Sequence, residues 1–302
     1  MDFRELQYIA AIARHQNISK AARELGVSQP TLSKFVQAAE RQLGQPLFQK
    51  LGHRFLLTYA GEKYLTKAKL ILSLKKELDQ EMGEITQRNE GELRIAFPIM
   101  RGTYMLPCTL PVFREKYPHV RVSVQEANSS VLEGMVLEGS VDLAFFTLPI
   151  RHPDVVYEVI KREEVVLVTS ADHPHAALGA SRTDCRYPWM DLQRLREERF
   201  ILQKEGQRTR QIADELFQRA RIEPRVALEA RNIVATVCLA ASGYGVTLVG
   251  DSHLKHIRTD RPPVCFSVGE PCTQTSFVAA YRRDAYLPKY AKDYIAIVRE
   301  FT

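Results

Sequence analysis

The sequence predicts an α/β chain in which a small N-terminal winged helix-turn-helix is followed by one long helix and then by two α/β lobes. Three observations predict it. Residues 17–61 read as a short helix, a turn, a longer helix and a hairpin; no helix breaker interrupts the pattern from Thr58 to Gly91; and from Glu92 onward strands and helices alternate. A length of 302 residues suits about two domains. With 45% hydrophobic and 26% charged residues the composition is that of an ordinary globular protein, without repeats or low-complexity tracts.

Asp2 and Glu5 form a capping-box pattern ahead of a first helix with Leu6, Ile9, Ala10 and Ala13 on its inner face. Ser19 is the expected cap of a second, short helix, which buries Ala21, Ala22 and Leu25 and stops at Gly26. Val27 plugs the turn. Ser28 caps the third helix, and Pro30 sits in its first turn, where a missing N–H costs nothing. Leu32, Val36, Ala39 and Leu43 are expected to face inward, leaving Gln29, Thr31, Ser33, Lys34 and Gln37 outside. Short amide and hydroxyl side chains near a helix N-terminus can read base edges in a major groove, and the helix dipole favours a nearby phosphate. Gln29, Thr31 and Ser33 are therefore the expected base readers, with Ser28, Lys34, Lys50 and Arg54 mainly at the backbone and Pro30 also counted in the DNA-binding set. Pro46 to Thr58 reads as a β-hairpin with Lys50, His53 and Arg54 near its tip, suited to a minor groove or backbone. Up to Thr58 there are eight basic residues against four acidic ones, so most of the net +6 of the chain sits in its smallest unit. Phosphate neutralisation requires such a concentration.

These residues resemble the LysR-type transcriptional regulators. The likeness rests on Ala21-Ala22, Leu25, Val27-Ser28-Gln29-Pro30, Leu32-Ser33, Glu40, Leu43-Gly44, Pro46-Leu47-Phe48, Leu57-Thr58 and Ala60-Gly61. Ile18, Ala39 and Lys50 depart from the pattern, and Lys50 keeps a charge while losing the bidentate fork of arginine. The resemblance implies double-stranded DNA carrying an interrupted palindrome, a homodimer that pairs into a homotetramer, RNA polymerase as a further partner, and a small-molecule effector. It also implies that the lobes form a two-lobed, periplasmic-binding-protein-like effector domain.

Thr58 caps the long helix and Glu62 suits its dipole. Tyr64, Ala68, Ile71, Lys75, Leu78, Met82 and Ile85 recur in steps of four and three, a heptad seam with one charged member. Packing on its own chain is the plain alternative. A narrow seam between two domains favours pairing of two chains, and the resemblance makes this the dimerising linker helix. The expected division is 1–58 for DNA binding, 59–90 for the linker and 91–302 for the effector domain, with lobe I at 91–160 and 268–302 and lobe II at 161–267.

Beyond Glu92, strands at Leu93–Phe97, Val120–Val124, Val141–Phe146, Val165–Thr169, Arg199–Leu202, Val226–Glu229 and Val246–Val249 alternate with helices, arguing for mainly parallel sheets. Phe277–Tyr281 and Leu287–Phe301 read as a closing strand and helix. In lobed parallel sheets ligands bind where strand ends lead into helix N-termini. The junctions legible here carry Arg101, Gly102, Thr103, Asn128, Ser129, Thr147, Gln203 and Arg208, at places corresponding to the effector contacts of the resembling family. Hydroxyls, amides and two arginines favour a carboxylate or similar anion.

Other classes find less support. Asn232 to Gly250 is uncharged and approaches transmembrane length, but Ser242-Gly243-Tyr244-Gly245 divides it into a buried helix and a strand, so no membrane association is expected. Charged residues at positions 2, 4 and 5 argue against a signal peptide and for the cytoplasm. The five cysteines show no C-x-x-C spacing and are odd in number, so neither zinc nor a disulfide framework is expected; Cys265 with Cys272 is the one pair weighed as a redox switch. His173, His175, His253 and His256 are expected on loops or the surface. No cofactor is expected. An enzyme with an appended DNA-binding domain is the alternative, but no G-x-S-x-G, P-loop, G-x-G-x-x-G or H-E-x-x-H is present, and the S-x-x-K at Ser73 falls within the linker helix.

Overall fold

The computed structural model describes residues 2–52, 54–85 and 91–302. The N-terminal unit comprises α1 (Phe3–His15), α2 (Ile18–Leu25), α3 (Gln29–Leu43), β1 (Phe48–Leu51) and β2 (Arg54–Leu57), and α4 (Tyr59–Ile85) is the linker. Then come β3 (Gly91–Phe97), α5 (Ile99–Lys116), β4 (Val120–Glu126), α6 (Ser129–Leu137), β5 (Leu143–Thr147) and β6 (Val155–Thr169). A short 3₁₀ turn at Leu192–Leu195 precedes β7 (Arg199–Gln203), α7 (Arg208–Ala220), β8 (Arg225–Ala230), α8 (Ile233–Ala241), β9 (Thr247–Gly250), α9 (Asp251–Leu254) and β10 (Val264–Ser267). β11 (Gln274–Arg282) and α10 (Lys289–Glu300) close the chain.

The N-terminal core is Leu6, Ile9, Ile12, Ala21, Ala22, Leu32, Val36, Leu47 and Phe48. The Asp2–Glu5 capping box forms. The cap of α2, however, is Asn17, whose side chain accepts from the Lys20 N–H at 3.0 Å; Ser19 lies inside the helix because the chain is already helical at Ile18. Ser28 caps α3 as expected. Leu43, expected inward, is 46% exposed, since α3 outruns the core at its last turn. Glu40 explains its own place in the motif: its carboxylate accepts the Leu47 and Phe48 N–H groups at 2.8 and 3.0 Å, fixing the start of the wing to α3. Thr58 accepts from the Gly61 N–H at 3.0 Å and donates to the Pro46 carbonyl at 2.6 Å, so one hydroxyl caps α4 and ties it to the wing. A Cβ at Gly61 would collide with the Leu47 carbonyl.

α4 uses two faces. Its polar face packs on its own chain, with Lys69 paired to Glu138, Lys76 to Asp142 at 3.0 Å, and Glu77 to Arg282. Asp142 also takes the Arg94 guanidinium at 2.6 Å and the Arg94 N–H at 2.7 Å. Burial alone would raise the Asp142 pKa, but Arg94 and Lys76 more than offset it and hold the carboxyl below its ordinary value. Of the seam residues, Tyr64 packs on the N-terminal core, Ala68 is buried, Ile71 is half-buried, and Leu78 and Met82 are exposed; Ile85 ends the helix, and its side-chain surroundings lie outside the described residues. Leu74 joins Leu78 and Met82 in one open apolar stripe, exposed by 56, 56 and 48%.

The two lobes share a strand. In lobe I the strand order is β4, β3, β5, β11, β6, parallel between β3 and its two neighbours and antiparallel where β11 meets β5 and β6. In lobe II, β9 and β10 flank β6 antiparallel, while β7 and β8 pair in parallel. The expected mainly parallel sheets are therefore mixed, and the antiparallel pairs arise where the chain crosses between lobes. β6 pairs with β11 up to Glu164 and with β9 and β10 from Val165, so the partner exchange falls later in the strand than Ile160. Its first half went unread because Glu158, Lys161 and Arg162 interleave with apolar residues on an open face. The return crossing is 268–273, between β10 and β11.

One expectation is overturned outright. Cys185 and Cys272, 87 residues apart with Cα atoms 5.8 Å from each other, form a disulfide; Cys108, Cys238 and Cys265 are free. Cys265 is held in β10 opposite Val168, with its thiol pushed up to about 11 by burial, whereas Cys272 lies in the crossing against the loop that carries Cys185. Sequence spacing carries no record of such a contact. Asn232 to Gly250 divides as expected into α8 and β9, and no described helix is long and apolar enough to cross a membrane.

Candidate functional site

Two surfaces carry the candidate residues. On the N-terminal unit, Gln29, Pro30, Thr31, Lys34 and Gln37 are exposed along one side of α3, with Ser33 half-buried beside them. Ser28 Oγ and Thr31 Oγ1 share a hydrogen bond at 2.7 Å, and Ser28 Oγ also accepts from the Thr31 N–H at 3.3 Å, so each hydroxyl keeps capacity for at least one further partner. Lys50 and Arg54 lie on opposite strands of the wing beside its tip, while His53 lies outside the described residues. No ion pair is found for Lys34, Lys50 or Arg54 among the described residues, whereas Arg14 and His15 on α1 are both taken by Glu24. The unneutralised cations thus lie on α3 itself and beside the wing tip. Such a face can meet a duplex with amides and hydroxyls at the bases and cations at phosphates.

The second surface is a cleft of about 510 Å³ between the lobes. Lobe I contributes Pro98, Ile99, Met100, Arg101, Thr103, Asn128, Ser129 and Thr147; lobe II contributes Gln207, Arg208, Thr209, Arg231, Asn232, Ile233, Val234 and His253. Four helices, α5 to α8, begin at its walls, because each follows a strand whose carboxyl end opens there. Pro98, Asn128 and Gln207 make no side-chain cap, so the first-turn N–H groups of α5, α6 and α7 remain available; Asn232 caps α8 by accepting from Val234 at 2.9 Å. No acidic residue stands among the lining residues named above. The site is electropositive by dipole and by charge.

Six of the eight residues expected here line the cleft: Arg101, Thr103, Asn128, Ser129, Thr147 and Arg208. Two do not. Gly102 is buried with its Cα turned toward the Glu126 carboxylate, and Gln203 is buried at the end of β7, donating to Thr236 Oγ1 at 3.1 Å. The reading of Arg101 as a clamp for ligand also needs correction. Arg101 is 3% exposed, and its guanidinium bonds both oxygens of Glu163, at 2.7 and 2.8 Å, with a further bond to Ser252 at 3.0 Å and the Phe277 ring 4.2 Å beneath it. Burial would raise the Glu163 pKa, yet Arg101 holds it below the ordinary value. Arg101 on α5 is a strut between lobe I and the exchange point of β6. Its charge is spent.

The cations that remain are Arg208 and Arg231. Arg208 reaches across the cleft, donating Nε to the Leu148 carbonyl at 2.6 Å and Nη1 to Gln211 at 2.6 Å, with no carboxylate on it among the described residues. Arg231, Gln207, Asn232 and His253 were missed. The Asn232 cap ahead of an uncharged helix could have marked Arg231 and Asn232, but the contact of His253 with the cleft is tertiary. His253, expected on the surface, is buried beside Tyr104, and desolvation followed by the nearby Arg101 charge lowers its pKa to about 3, so it stays neutral. His173 and His175 both lie on Glu198, at 3.4 and 3.6 Å. Among the described residues the one cluster with metal-ligand spacing is Glu164, Cys185 and Cys272, and its sulfurs are joined to each other.

Comparison with known proteins covers nearly the whole chain. Residues 3–62 match the model of the bacterial regulatory helix-turn-helix protein, lysR family, and residues 86–302 match the LysR substrate binding domain. The uncharacterized HTH-type transcriptional regulator YcgK of Bacillus subtilis is 29% identical over 99% of this chain and 94% of its own length. A full-length OxyR variant from Pseudomonas aeruginosa shares the fold, with a TM-score of 0.79 over 99% of this chain and 95% of that one at 22% identity. Full-length CbnR, solved in complex with its target DNA, superposes with a TM-score of 0.64 over all of both chains at 26% identity.

The ion pair offers a test of the strut. Removing one partner of a buried pair leaves an uncompensated charge, so Arg101→Met should destabilise the effector domain by about 3–5 kcal/mol. Arg101→Met with Glu163→Met should recover much of that loss in urea unfolding monitored by circular dichroism. A single substitution costing no more than a surface change would show that the pair does not hold the junction.

Proposed function

The chain belongs to the LysR family of bacterial helix-turn-helix transcriptional regulators, and from that premise we propose that it binds an interrupted palindrome in duplex DNA as a dimer and responds to a small anion held between its lobes. The observation that carries this reading is the cleft: four helix N-termini and, among the described residues, two arginines without carboxylate partners and no lining acid. A carboxylate there would accept from Arg208 and from the free N–H groups of α6 and α7, with Thr103, Ser129 and Thr147 supplying hydroxyls. The ligand acts through its different affinity for the lobe arrangements it links. CbnR is described as complexed with target DNA, which supports the same role for α3 and the wing here. The relatives named as regulators support a non-enzymatic role in the cytoplasm, where the chromosome and RNA polymerase are met. The open stripe of Leu74, Leu78 and Met82, continuous with a groove lined by Leu6, Leu43, Tyr64 and Ile71, supports pairing of two linker helices, and two such dimers would make the tetramer.

Three outcomes are expected. Gln29→Ala should cost about 1–3 kcal/mol and relax preference at the bases it meets, while Arg54→Ala should weaken all duplexes alike and flatten the salt dependence. Unchanged footprint specificity in Gln29→Ala would remove α3 as the reading helix. Leu74→Asp together with Leu78→Asp should shift sedimentation from dimer or tetramer toward monomer; an unaltered distribution would put the dimer contact elsewhere. Calorimetry against a panel of small carboxylates should find a ligand whose affinity falls roughly tenfold or more in Arg208→Ala. A regulatory ligand indifferent to both Arg208→Ala and Thr103→Ala would bind outside the cleft.

A further inference from the structure

The disulfide lies where the lobes join, and neither the DNA face nor the cleft uses it. Cys185 belongs to the loop between β6 and β7, and Cys272 to the crossing that returns the chain from β10 to β11. The neighbourhood is tied tightly to this crossing. Arg182 donates to Glu270 at 2.9 Å and lies 4.9 Å from the Trp189 ring, whose Nε1 donates to the Gly269 carbonyl at 2.9 Å. Glu164, buried at the exchange point of β6, accepts from the Arg186 N–H at 3.1 Å and from the Ser267 hydroxyl, and its carboxylate lies within 4.8 Å of both sulfurs. The alternation of strand side chains thus places the Arg101–Glu163 strut on one side of the exchange point and Glu164 with the disulfide on the other.

We propose that Cys185 and Cys272 form a reversible redox tether that sets how freely the lobes move about this junction, with a hydroperoxide as the oxidant and a cellular dithiol as the reductant. A regulator that meets the chromosome works among reduced thiols, where a disulfide is transient or sensing rather than a permanent staple. Cys272 is buried and Cys185 half-exposed, so Cys185 is the sulfur that meets solvent. Its thiolate attacks the peroxide, the O–O bond breaks, an alcohol or water leaves, and a sulfenic acid forms. The Cys272 thiol then attacks the Cys185 sulfur, water leaves, and the two electrons of the dithiol have gone to the peroxide. Exchange with a dithiol returns two electrons and two protons and restores both thiols. Oxidised, the crossing is anchored covalently to lobe II. Reduced, it keeps the Trp189–Gly269 and Arg182–Glu270 contacts and the bond from the Val165 N–H to the Thr273 carbonyl.

The test uses the full-length chain, treated with hydrogen peroxide or with reduced thioredoxin. Under denaturing conditions the oxidised protein should titrate three thiols and the reduced protein five, reversibly. Amides of 264–276 should exchange faster in the reduced protein, and affinity for duplexes selected from a random pool should change about fivefold or more between the states. Cys185→Ser should match the reduced protein and ignore peroxide. A bond that thioredoxin cannot open in the folded protein, or two states with equal exchange at the crossing and equal DNA affinity, would overturn the proposal. The DNA readout alone rests on the regulator reading: redox-dependent exchange with no duplex bound in either state would support the tether and sink that reading.

Discussion

A strand that belongs to two sheets has one point at which it changes partners, and much of this molecule is arranged around that point in β6. Up to Glu164 the strand is held by β11, and from Val165 by β9 and β10. A buried carboxylate at such a point must be neutralised or it costs several kcal/mol. Glu163 is answered by Arg101, reaching from α5 of lobe I, and Glu164 by Ser267 and the Arg186 N–H of lobe II. The two lobes are therefore joined by charge as well as by backbone. The cleft opens beside the first of these pairs, and its own Arg208 and Arg231 carry no carboxylate among the described residues, while Arg101 is taken by Glu163.

Strand direction then links the cleft to the linker helix. β3 and β5 run parallel, and toward one end of the sheet Asp142, just before β5, accepts from both the β3 residue Arg94 and Lys76 on α4; at the other end Pro98, just after β3, and Thr147 of β5 line the cleft. An occupant at the helix N-termini and a helix that carries the DNA reader thus rest on the two ends of the same strands. α4 in turn is tied to the wing through Thr58, and the wing to α3 through Glu40. Each contact is a short polar bond between packed elements, so displacement at one end has a continuous solid path to the other.

Local chemistry was the legible part of this sequence. Capping residues, left-handed glycines and helical spacing act within a few residues, and they located α1, α3, the wing and the strand-to-helix junctions of the cleft. What required tertiary contact was not legible. An Asn-for-Ser cap shift at Asn17 depends on where the chain enters α2; Leu43 is exposed because the core ends before the helix does; Arg101 looked like a ligand clamp because Glu163, distant in sequence, was not known to face it. The Cys185–Cys272 pair is the clearest instance, since only the crossing geometry brings those sulfurs together. The first half of β6 stayed hidden for another reason: its charged residues lie on an open face and mask the period of the strand.

The proposal that the electropositive cleft holds an anion is tested most directly by anomalous diffraction from crystals of the full-length protein soaked in selenate. Selenium density between Arg208 and the N-termini of α6 and α7, absent from Arg208→Ala crystals, is the predicted result. Density confined to the outer surface, with the cleft empty at a selenate concentration that saturates other sites, would contradict it.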